Sequence, residues 1–280
     1  MENEAFSSID FVAQCLVDNE RTVAFQKAIK RIIKKDDTVL DLGTGSGVMA
    51  LLAAKAGAKK VIAVEIDSLV AQTPQNAICL NNLEDKMSLL IGDAQKCIFP
   101  ENTKFNVVIS EMLTTGMVDE SQVRAINNLH DKRNVDGSTI FLPYRHDTFI
   151  SLSSANFVFF GIKIPMILHL WKWHNWKKLR IKQMTDNLLL NSIYFNKRND
   201  VKFEATLTFE VKKTGTINSL CLTSRTFLTN KIFLDDTEAL NAPMLIPIAK
   251  KTVKKGQQIK LKINYIFGDG YNKFRANILD

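Results

Sequence analysis

The residues from Gly43 to Gly47 (GTGSG) have the composition of a ligand-binding turn, and Asp41 stands just before them. Glycines have no Cβ atom, so the backbone can turn tightly and approach a ligand closely. The turn lies between an apolar stretch, Thr38–Leu42, and an Ala/Leu-rich stretch, Val48–Ala56, which predict a strand and a helix. A lone Gly-x-Gly-x-Gly run is weak evidence by itself, and a tight turn that binds nothing is the alternative.

Two further acids follow the next predicted strands. Glu65 comes after Lys60–Val64, and Asp93 comes after Met87–Ile91. In doubly wound sheets, ligands bind beyond the carboxyl ends of the strands, where an acid after the second strand bonds the ribose hydroxyls. An acid after the third strand can accept a hydrogen bond from an adenine amino group. The three strand ends together favour a nucleoside-containing cofactor. A dinucleotide is the alternative, although Gly-x-Gly-x-x-Gly would then be expected.

Two carboxylates bracket a short loop after the fourth predicted strand, Asn106–Ser110. Glu111 follows that strand directly, and Glu120 lies nine residues further on. Two carboxylates that bracket a short loop at the carboxyl end of a strand are an unusual arrangement. Alternatively, Glu120 could be a first-turn acid of the predicted helix Glu120–Lys132, with Asp119 as its N-cap. The residue types alone favour this second interpretation.

The motifs Asp-Leu-Gly-x-Gly-x-Gly, Val-Glu-x-Asp and Gly-Asp-Ala together resemble the class I S-adenosylmethionine-dependent methyltransferases. Within that class, the chain resembles the protein arginine methyltransferases. The resemblance rests on the Ser-Glu-loop-Glu-Ser pattern over Ser110–Ser121, on LVDNERTVAF over Leu16–Phe25, and on AAKAGAKKV over Ala53–Val61. GSTIFLP over Gly137–Pro143 resembles the passage into the C-terminal β-barrel domain of that family.

The resemblance implies S-adenosylmethionine as the cofactor and assigns a role to each motif residue. Arg21 would bind the methionine carboxylate. The other cofactor-binding residues would be Asp41, Gly43 and Gly45 at the methionine end, Glu65 at the ribose and Asp93 at the adenine. Glu111 and Glu120 would be catalytic, gripping the substrate guanidinium with one terminal nitrogen in line with the donor methyl group.

The chain also departs from the family pattern. The family usually has a Thr-His-Trp loop in the barrel, whereas the region that we match to it, Thr226–Phe233, contains neither His nor Trp. A pairing of histidine with a carboxylate is therefore either absent or supplied from elsewhere in the chain. The resemblance further implies a homodimer formed through an arm of the barrel. Residues 157–182, which contain all three Trp residues, are a candidate for this arm. The alternatives for them are barrel core with a Lys-rich loop, or a segment that lies on a membrane surface.

Length, charge and pattern predict how these elements are organised. The chain has 280 residues and a net charge of +8. Residues 1–143 carry 15 − 19 = −4 and residues 144–280 carry 22 − 10 = +12. The first part alternates predicted strands and helices, whereas the second alternates apolar and polar residues. We therefore predict an α/β chain with three parts: N-terminal helices covering the cofactor (1–36), a Rossmann-like domain (37–143) and a β-barrel-like domain (144–280).

Composition argues against several classes of protein. Four scattered cysteines without a CxxC pair argue against a zinc ribbon or a disulfide framework and favour the cytoplasm. The four histidines show no metal-ligand spacing, so no metal is expected. The acidic start of the chain is unlike a secretory signal, and no uncharged apolar run reaches the ~18 residues of a membrane helix. The basic half lacks the aromatic-basic pattern of RNA-binding modules, which argues against a nucleic-acid partner.

The leading hypothesis is an S-adenosylmethionine-dependent methyltransferase that acts on the guanidinium of arginine in a protein, a peptide or a small molecule. A second hypothesis is an enzyme of a dedicated biosynthetic pathway with a different nitrogen nucleophile. A third is a cofactor-binding regulatory subunit that has no activity of its own.

Overall fold

A computed structural model describes residues 8–279. Residues 1–7 of the predicted N-terminal segment and residue 280 of the predicted barrel-like segment lie outside this range. The first half contains five helices: α1 Ile9–Val17, α2 Asn19–Ile32, α3 Val48–Lys55, α4 Gln72–Leu80 and α5 Gln122–Asp131. Its strands are β1 Thr38–Leu42, β2 Lys60–Glu65, β3 Met87–Ile91, β4 Val107–Ser110 and β5 Ile140–Leu142.

These five strands form one parallel sheet in the order β3-β2-β1-β4-β5. The central strand β1 pairs with β2 on one side and with β4 on the other. Four of the five residues of β1 and all four residues of β4 are buried, as expected for parallel strands covered on both faces. All carboxyl ends lie at the same edge of the sheet. The chain reverses its strand order between β1 and β4, the place where doubly wound sheets bind their ligands.

Local signals set the helix ends. The carboxylate of Asp18 caps α2 by accepting the backbone N–H of Arg21 at 3.0 Å. In α4, Pro74 lies in the first turn, where a missing N–H is tolerated. The helix predicted over Glu120–Lys132 begins at Gln122, and its N-cap position is Ser121. Asp119 as an N-cap is therefore wrong, because its carboxylate is held by other side chains.

Twelve strands make up the second half. They are β6 Arg145–Ser154, β7 Val158–Phe159, β8 Ile162–Lys163, β9 Leu168–His169, β10 Lys182–Gln183, β11 Leu188–Tyr194, β12 Lys202–Glu210, β13 Gly215–Phe227, β14 Phe233–Leu234, β15 Met244–Val253, β16 Gln258–Ile266 and β17 Arg275–Leu279. Within residues 8–279 they form an antiparallel sheet of seven strands built on β6, β13 and β15, a three-stranded sheet β12-β16-β17 and the hairpin β7-β8. We call this half the antiparallel domain.

The two halves share one hydrophobic core. A single cluster of buried side chains includes Phe25 of α2, Ile109 of β4, Leu222 of β13 and Phe267 after β16. The loop that follows β4 is enclosed between the halves, and its residues from Leu113 to Asp119 are all buried. None of the helices between residues 8 and 279 is both long and apolar enough to cross a membrane.

Candidate active site

The carboxyl edge of the parallel sheet opens into a cavity of about 420 Å³. Every residue that the sequence singles out for cofactor or substrate binding lines it: Arg21, Asp41, Gly43, Gly45, Glu65, Asp93, Glu111 and Glu120. Phe11, Val12 and Cys15 of α1 contribute a further wall. The structure thus brings together residues from both N-terminal helices and from all of the predicted strand ends.

The glycine-rich turn forms the part of the wall next to β1. Gly43 and Gly45 have φ angles of +67° and +54°, which other residues rarely adopt. A Cβ atom on Gly43 would lie 2.6 Å from Cγ of Met112. Beside the turn, the hydroxyl of Thr44 donates to the carboxylate of Asp41 at 2.6 Å. Burial raises the pKa of Asp41 to about 7, although the hydrogen bond from Thr44 opposes the shift.

Glu65 ties the glycine turn to the end of β2. Its Oε2 atom accepts the N–H of Gly45 at 2.8 Å, and its Oε1 atom accepts those of Ile66 and Asp67 at 2.9 and 3.1 Å. A carboxylate offers about four acceptor positions, so these three bonds leave one for a ligand hydroxyl. Asp93 makes its hydrogen bonds within its own turn, to the N–H of Gln95, and forms an ion pair with Lys96.

Arg21 is paired with Glu111 at the other end of the cavity. Its Nε donates to Oε2 of Glu111 at 2.5 Å, its Nη2 contacts the same oxygen, and its Nη1 donates to the carbonyl of Cys15 at 2.8 Å. The two side chains are 7% and 8% exposed. Burial raises the pKa of Glu111, and the guanidinium opposes that rise. A pairing of the guanidinium with Asp18 is not found, because Asp18 accepts the backbone N–H of Arg21 instead.

Glu120 lies across the loop from Glu111. Burial raises the pKa of Glu120 to about 8, and the nearby carboxylates of Asp119 and Glu111 add to the shift. Glu120 therefore holds a proton at neutral pH and loses it in a range where a protein can use it as a base.

Asp119, next to Glu120, is the centre of a hydrogen-bonded cluster. Its Oδ1 atom accepts the hydroxyl of Thr114, and its Oδ2 atom accepts the hydroxyl of Tyr271 at 3.0 Å. Nε2 of His169 lies 3.2 Å from the same Oδ2 and 2.9 Å from the Tyr271 hydroxyl. Although burial raises the pKa of Asp119, the hydrogen bond and charge of His169 outweigh it, and the pKa is lowered.

Comparison with known proteins shows which proteins this chain is similar to. The model of the ribosomal protein L11 methyltransferases (PrmA) matches residues 19–132. Over 263 residues, the chain is 29% identical to the uncharacterised protein MJ1452 of Methanocaldococcus jannaschii, covering 94% of each chain. It is 26% identical to protein arginine N-methyltransferase 1 of Saccharomyces cerevisiae, covering 78% of this chain and 68% of that protein.

A shorter match joins the chain to an arginine N(omega)-methyltransferase of Streptomyces achromogenes, at 31% identity over 41% of this chain and 33% of that protein. Among solved structures, the PRMT1 enzyme–prozyme heterotetramer of Trypanosoma brucei with AdoHcy superposes with a TM-score of 0.74, at 17% identity, covering 99% of each chain.

The chain is similar to the protein arginine methyltransferases in sequence and in fold.

It is therefore an S-adenosylmethionine-dependent methyltransferase, and the cavity fits this cofactor. The methionine end of the cofactor carries a carboxylate, for which the buried Arg21 guanidinium is suited, and the ribose offers hydroxyls that the remaining acceptor position of Glu65 can bind. Gly43 lines the same cavity, and the side chain of Met112 occupies the place where a Cβ atom on Gly43 would lie. Within residues 8–279 no group of three or more side chains could hold a metal ion.

Sequence reasoning did not identify two residues that contact Asp119 beside the cavity, His169 and Tyr271. His169 was considered only for metal-ligand spacing, and Tyr271 carries no motif. The missing Thr-His-Trp loop was the available signal, because it left open that a histidine could come from elsewhere in the chain. In the structure, His169 of β9 faces a carboxylate beside Glu120.

Proposed function

We propose that this methyltransferase transfers a methyl group from S-adenosylmethionine to a guanidinium nitrogen of arginine, in a protein, a peptide or an arginine-like small molecule. One observation carries the proposal: the Glu111 carboxylate already binds a guanidinium, that of Arg21, inside the cavity assigned to the cofactor. The carboxylate is thus able to receive this chemical group. Glu120, in the same cavity, supplies the second carboxylate.

The two carboxylates address the main difficulty of the reaction. A guanidinium is charged at any working pH, with a pKa above ~12, and its nitrogen lone pairs are delocalised. When bound, S-adenosylmethionine supplies an activated methyl group on a positively charged sulfur. Glu111 and Glu120 offset the approach of two cations and orient one terminal nitrogen. Ionised Glu120 accepts the proton that the nitrogen releases.

The remaining site residues hold the cofactor in this proposal. Arg21 binds the methionine carboxylate through its planar fork of donors. Asp41, Gly43 and Gly45 line the methionine end, Glu65 binds the ribose and Asp93 lies at the adenine. Arg21 then leaves Glu111 when the cofactor binds, which frees that carboxylate for the acceptor.

The acceptor class covers both peptide-bound and free arginine, because the relatives include a protein arginine methyltransferase and an enzyme named for arginine itself. Methylation of many arginine-rich peptides would indicate a general protein methyltransferase. Methylation of one small guanidine would indicate a dedicated biosynthetic enzyme. We propose no nucleic-acid acceptor, and we place the reaction in the cytoplasm, since the four cysteines are free.

Assembly as a homodimer through residues 157–182 is part of the proposal. The hairpin β7-β8 in this arm presents large apolar side chains to solvent, with Phe160 fully exposed and Ile162 63% exposed. Such a patch is typical of an association surface. Replacing Phe160 by glutamate should shift the mass measured by light scattering from dimer to monomer. A wild-type monomer would refute this part.

Calorimetric titration with S-adenosylhomocysteine tests the cofactor site first, with Glu65→Ala as the variant that should lose binding. Radiolabelled S-adenosylmethionine is then supplied with arginine peptides and free guanidines. Glu111→Gln and Glu120→Gln should each abolish transfer, and full activity in both would refute the assigned chemistry. A wild-type protein that binds cofactor but methylates no guanidine in the panel would favour the regulatory-subunit hypothesis.

A further inference from the structure

The cluster around Asp119 joins the loop that carries Glu120 to the antiparallel domain. His169 belongs to β9, which pairs with β15, and Tyr271 begins the 3-10 helix Tyr271–Lys273 after β16. Their polar atoms lie 2.9 Å apart, and both reach Oδ2 of Asp119. Side chains from two separate elements of the antiparallel domain therefore converge on one carboxylate oxygen of the first half of the chain.

The rest of the structure fixes the geometry of this convergence. The imidazole of His169 stacks on the indole of Trp171, with ring centroids 5.9 Å apart and an angle of 13° between the planes. The backbone N–H groups of Gly268 and Gly270 donate to the carbonyls of Met117 and Val118 at 3.1 and 2.9 Å. Two backbone hydrogen bonds thus hold the loop, and the side chains around Asp119 anchor it further at the carboxylate that adjoins Glu120.

We propose that Asp119, His169 and Tyr271 form a positioning triad, in which the two side chains of the antiparallel domain hold Asp119 and thereby set the place of the Glu120 carboxylate. The inference rests on the proposed function, because it takes Glu120 as the group that meets the acceptor. None of the three residues needs to touch the acceptor or the cofactor. Their effect is on the orientation of Glu120 and on the charge that it experiences.

The charge effect has a defined sign. The groups that face Glu120 include the carboxylates of Asp119, Glu111 and Glu65, the backbone N–H of Ser121 and the thiol of Cys15 in α1. Because the negative charge of Asp119 raises the pKa of Glu120, its removal in Asp119→Asn should lower that pKa. Tyr271→Phe removes a hydrogen bond and changes no charge, so the pH midpoint of methyl transfer should stay at its wild-type value.

The experiment compares Tyr271→Phe with Tyr265→Phe, a matched control. Tyr265 is a buried tyrosine whose hydroxyl accepts a hydrogen bond from Nδ2 of Asn191 at 3.0 Å, and in the described chain it makes no hydrogen bond to Asp119. Tyr271→Phe should lower kcat at least tenfold, with KM for the acceptor and the affinity for S-adenosylhomocysteine unchanged. Tyr265→Phe should keep the wild-type kcat.

Two further variants separate positioning from plain stabilisation. His169→Ala should lose activity, and His169→Gln, whose amide can donate from a similar place, should restore part of it. Asp119→Asn should move the pH midpoint of transfer downward. Wild-type kcat in Tyr271→Phe, or an unmoved midpoint in Asp119→Asn, would overturn the triad.

Amide hydrogen exchange over residues 114–121 supplies a readout that does not need a substrate. Exchange there should accelerate in Tyr271→Phe and not in Tyr265→Phe, and equal exchange in the two variants would overturn the triad. If the wild-type protein methylates no guanidine, the proposed function fails, while accelerated exchange would still support the triad as the anchor of this loop.

Discussion

Replacing Glu111 by glutamine should tighten the binding of S-adenosylhomocysteine while abolishing methyl transfer. The substitution keeps the shape of the side chain and leaves Arg21 an amide oxygen as acceptor, so the protein should still fold. Alanine would be a poorer choice, since removing one partner of a buried ion pair costs roughly 3–5 kcal/mol. The Arg21–Glu111 pair is a buried ion pair of this kind, because its side chains are only 7% and 8% exposed.

The magnitude follows from the bonds of Arg21. Its Nε and Nη2 both contact Oε2 of Glu111, and a hydrogen bond to a charged group contributes about 1.5–3 kcal/mol. In our proposal the cofactor carboxylate replaces Glu111 as the partner of Arg21. If the substitution weakens the Arg21–Glu111 pair by about 1.5 kcal/mol, replacing Glu111 by the cofactor carboxylate costs about 1.5 kcal/mol less. This corresponds to a roughly tenfold gain in affinity for S-adenosylhomocysteine. Transfer should fall at least ~100-fold, the usual loss when one transition-state contact is removed.

The assay is titration calorimetry with S-adenosylhomocysteine, which lacks the positive sulfur and so excludes any attraction between that charge and Glu111. Glu120→Gln is the matched control. It also removes a carboxylate from the cavity, but Glu120 makes no bond to Arg21 in the described residues, so its affinity should stay within about twofold of wild type. A Glu111→Gln variant that binds S-adenosylhomocysteine no more tightly than the wild-type protein would refute the proposal that Arg21 exchanges Glu111 for the cofactor carboxylate.

Other perturbations test separate parts of the structure. Gly43→Ala should weaken S-adenosylhomocysteine binding at least tenfold in the same titration, because the new Cβ atom would lie 2.6 Å from Cγ of Met112. Gly137→Ala is the control, since a Cβ atom there meets open space, and its affinity should equal that of the wild-type protein. The kcat/KM for the acceptor should rise with pH through about 8 as Glu120 of the free enzyme loses its proton, since the raised pKa keeps the carboxyl neutral below that pH; a profile that is flat through this range would refute Glu120 as the base. Asp18→Ala should lower the free energy of unfolding by about 3 kcal/mol in urea titrations, because Asp18 caps α2 and also accepts from Thr237 and Ala239; an unchanged midpoint would show that this link is weak.

Much of the fold could be predicted because its signals are local. Predicted and observed bounds coincide for β1 and β3, where an apolar run and flanking turn residues mark both ends. The helix predicted from Glu120 begins at Gln122 instead, because its start depends on the path of the preceding loop, which local composition does not encode. Asp119 shows the same limit of sequence reasoning. A carboxylate at this position suits a helix N-cap and a partner for His169 equally well, so the residue type does not distinguish the two roles.

The sequence by itself determined the class of protein and the residues of the cavity. Motifs at the carboxyl ends of parallel strands meet at one edge of a sheet whatever the details of packing. Only the tertiary structure decided which side chains pair there. Arg21 meets Glu111, and Asp119 meets His169 and Tyr271, through contacts between residues far apart in the chain. Such pairs leave no periodic pattern, because the packing of the two halves, and not the neighbouring residues, brings them together.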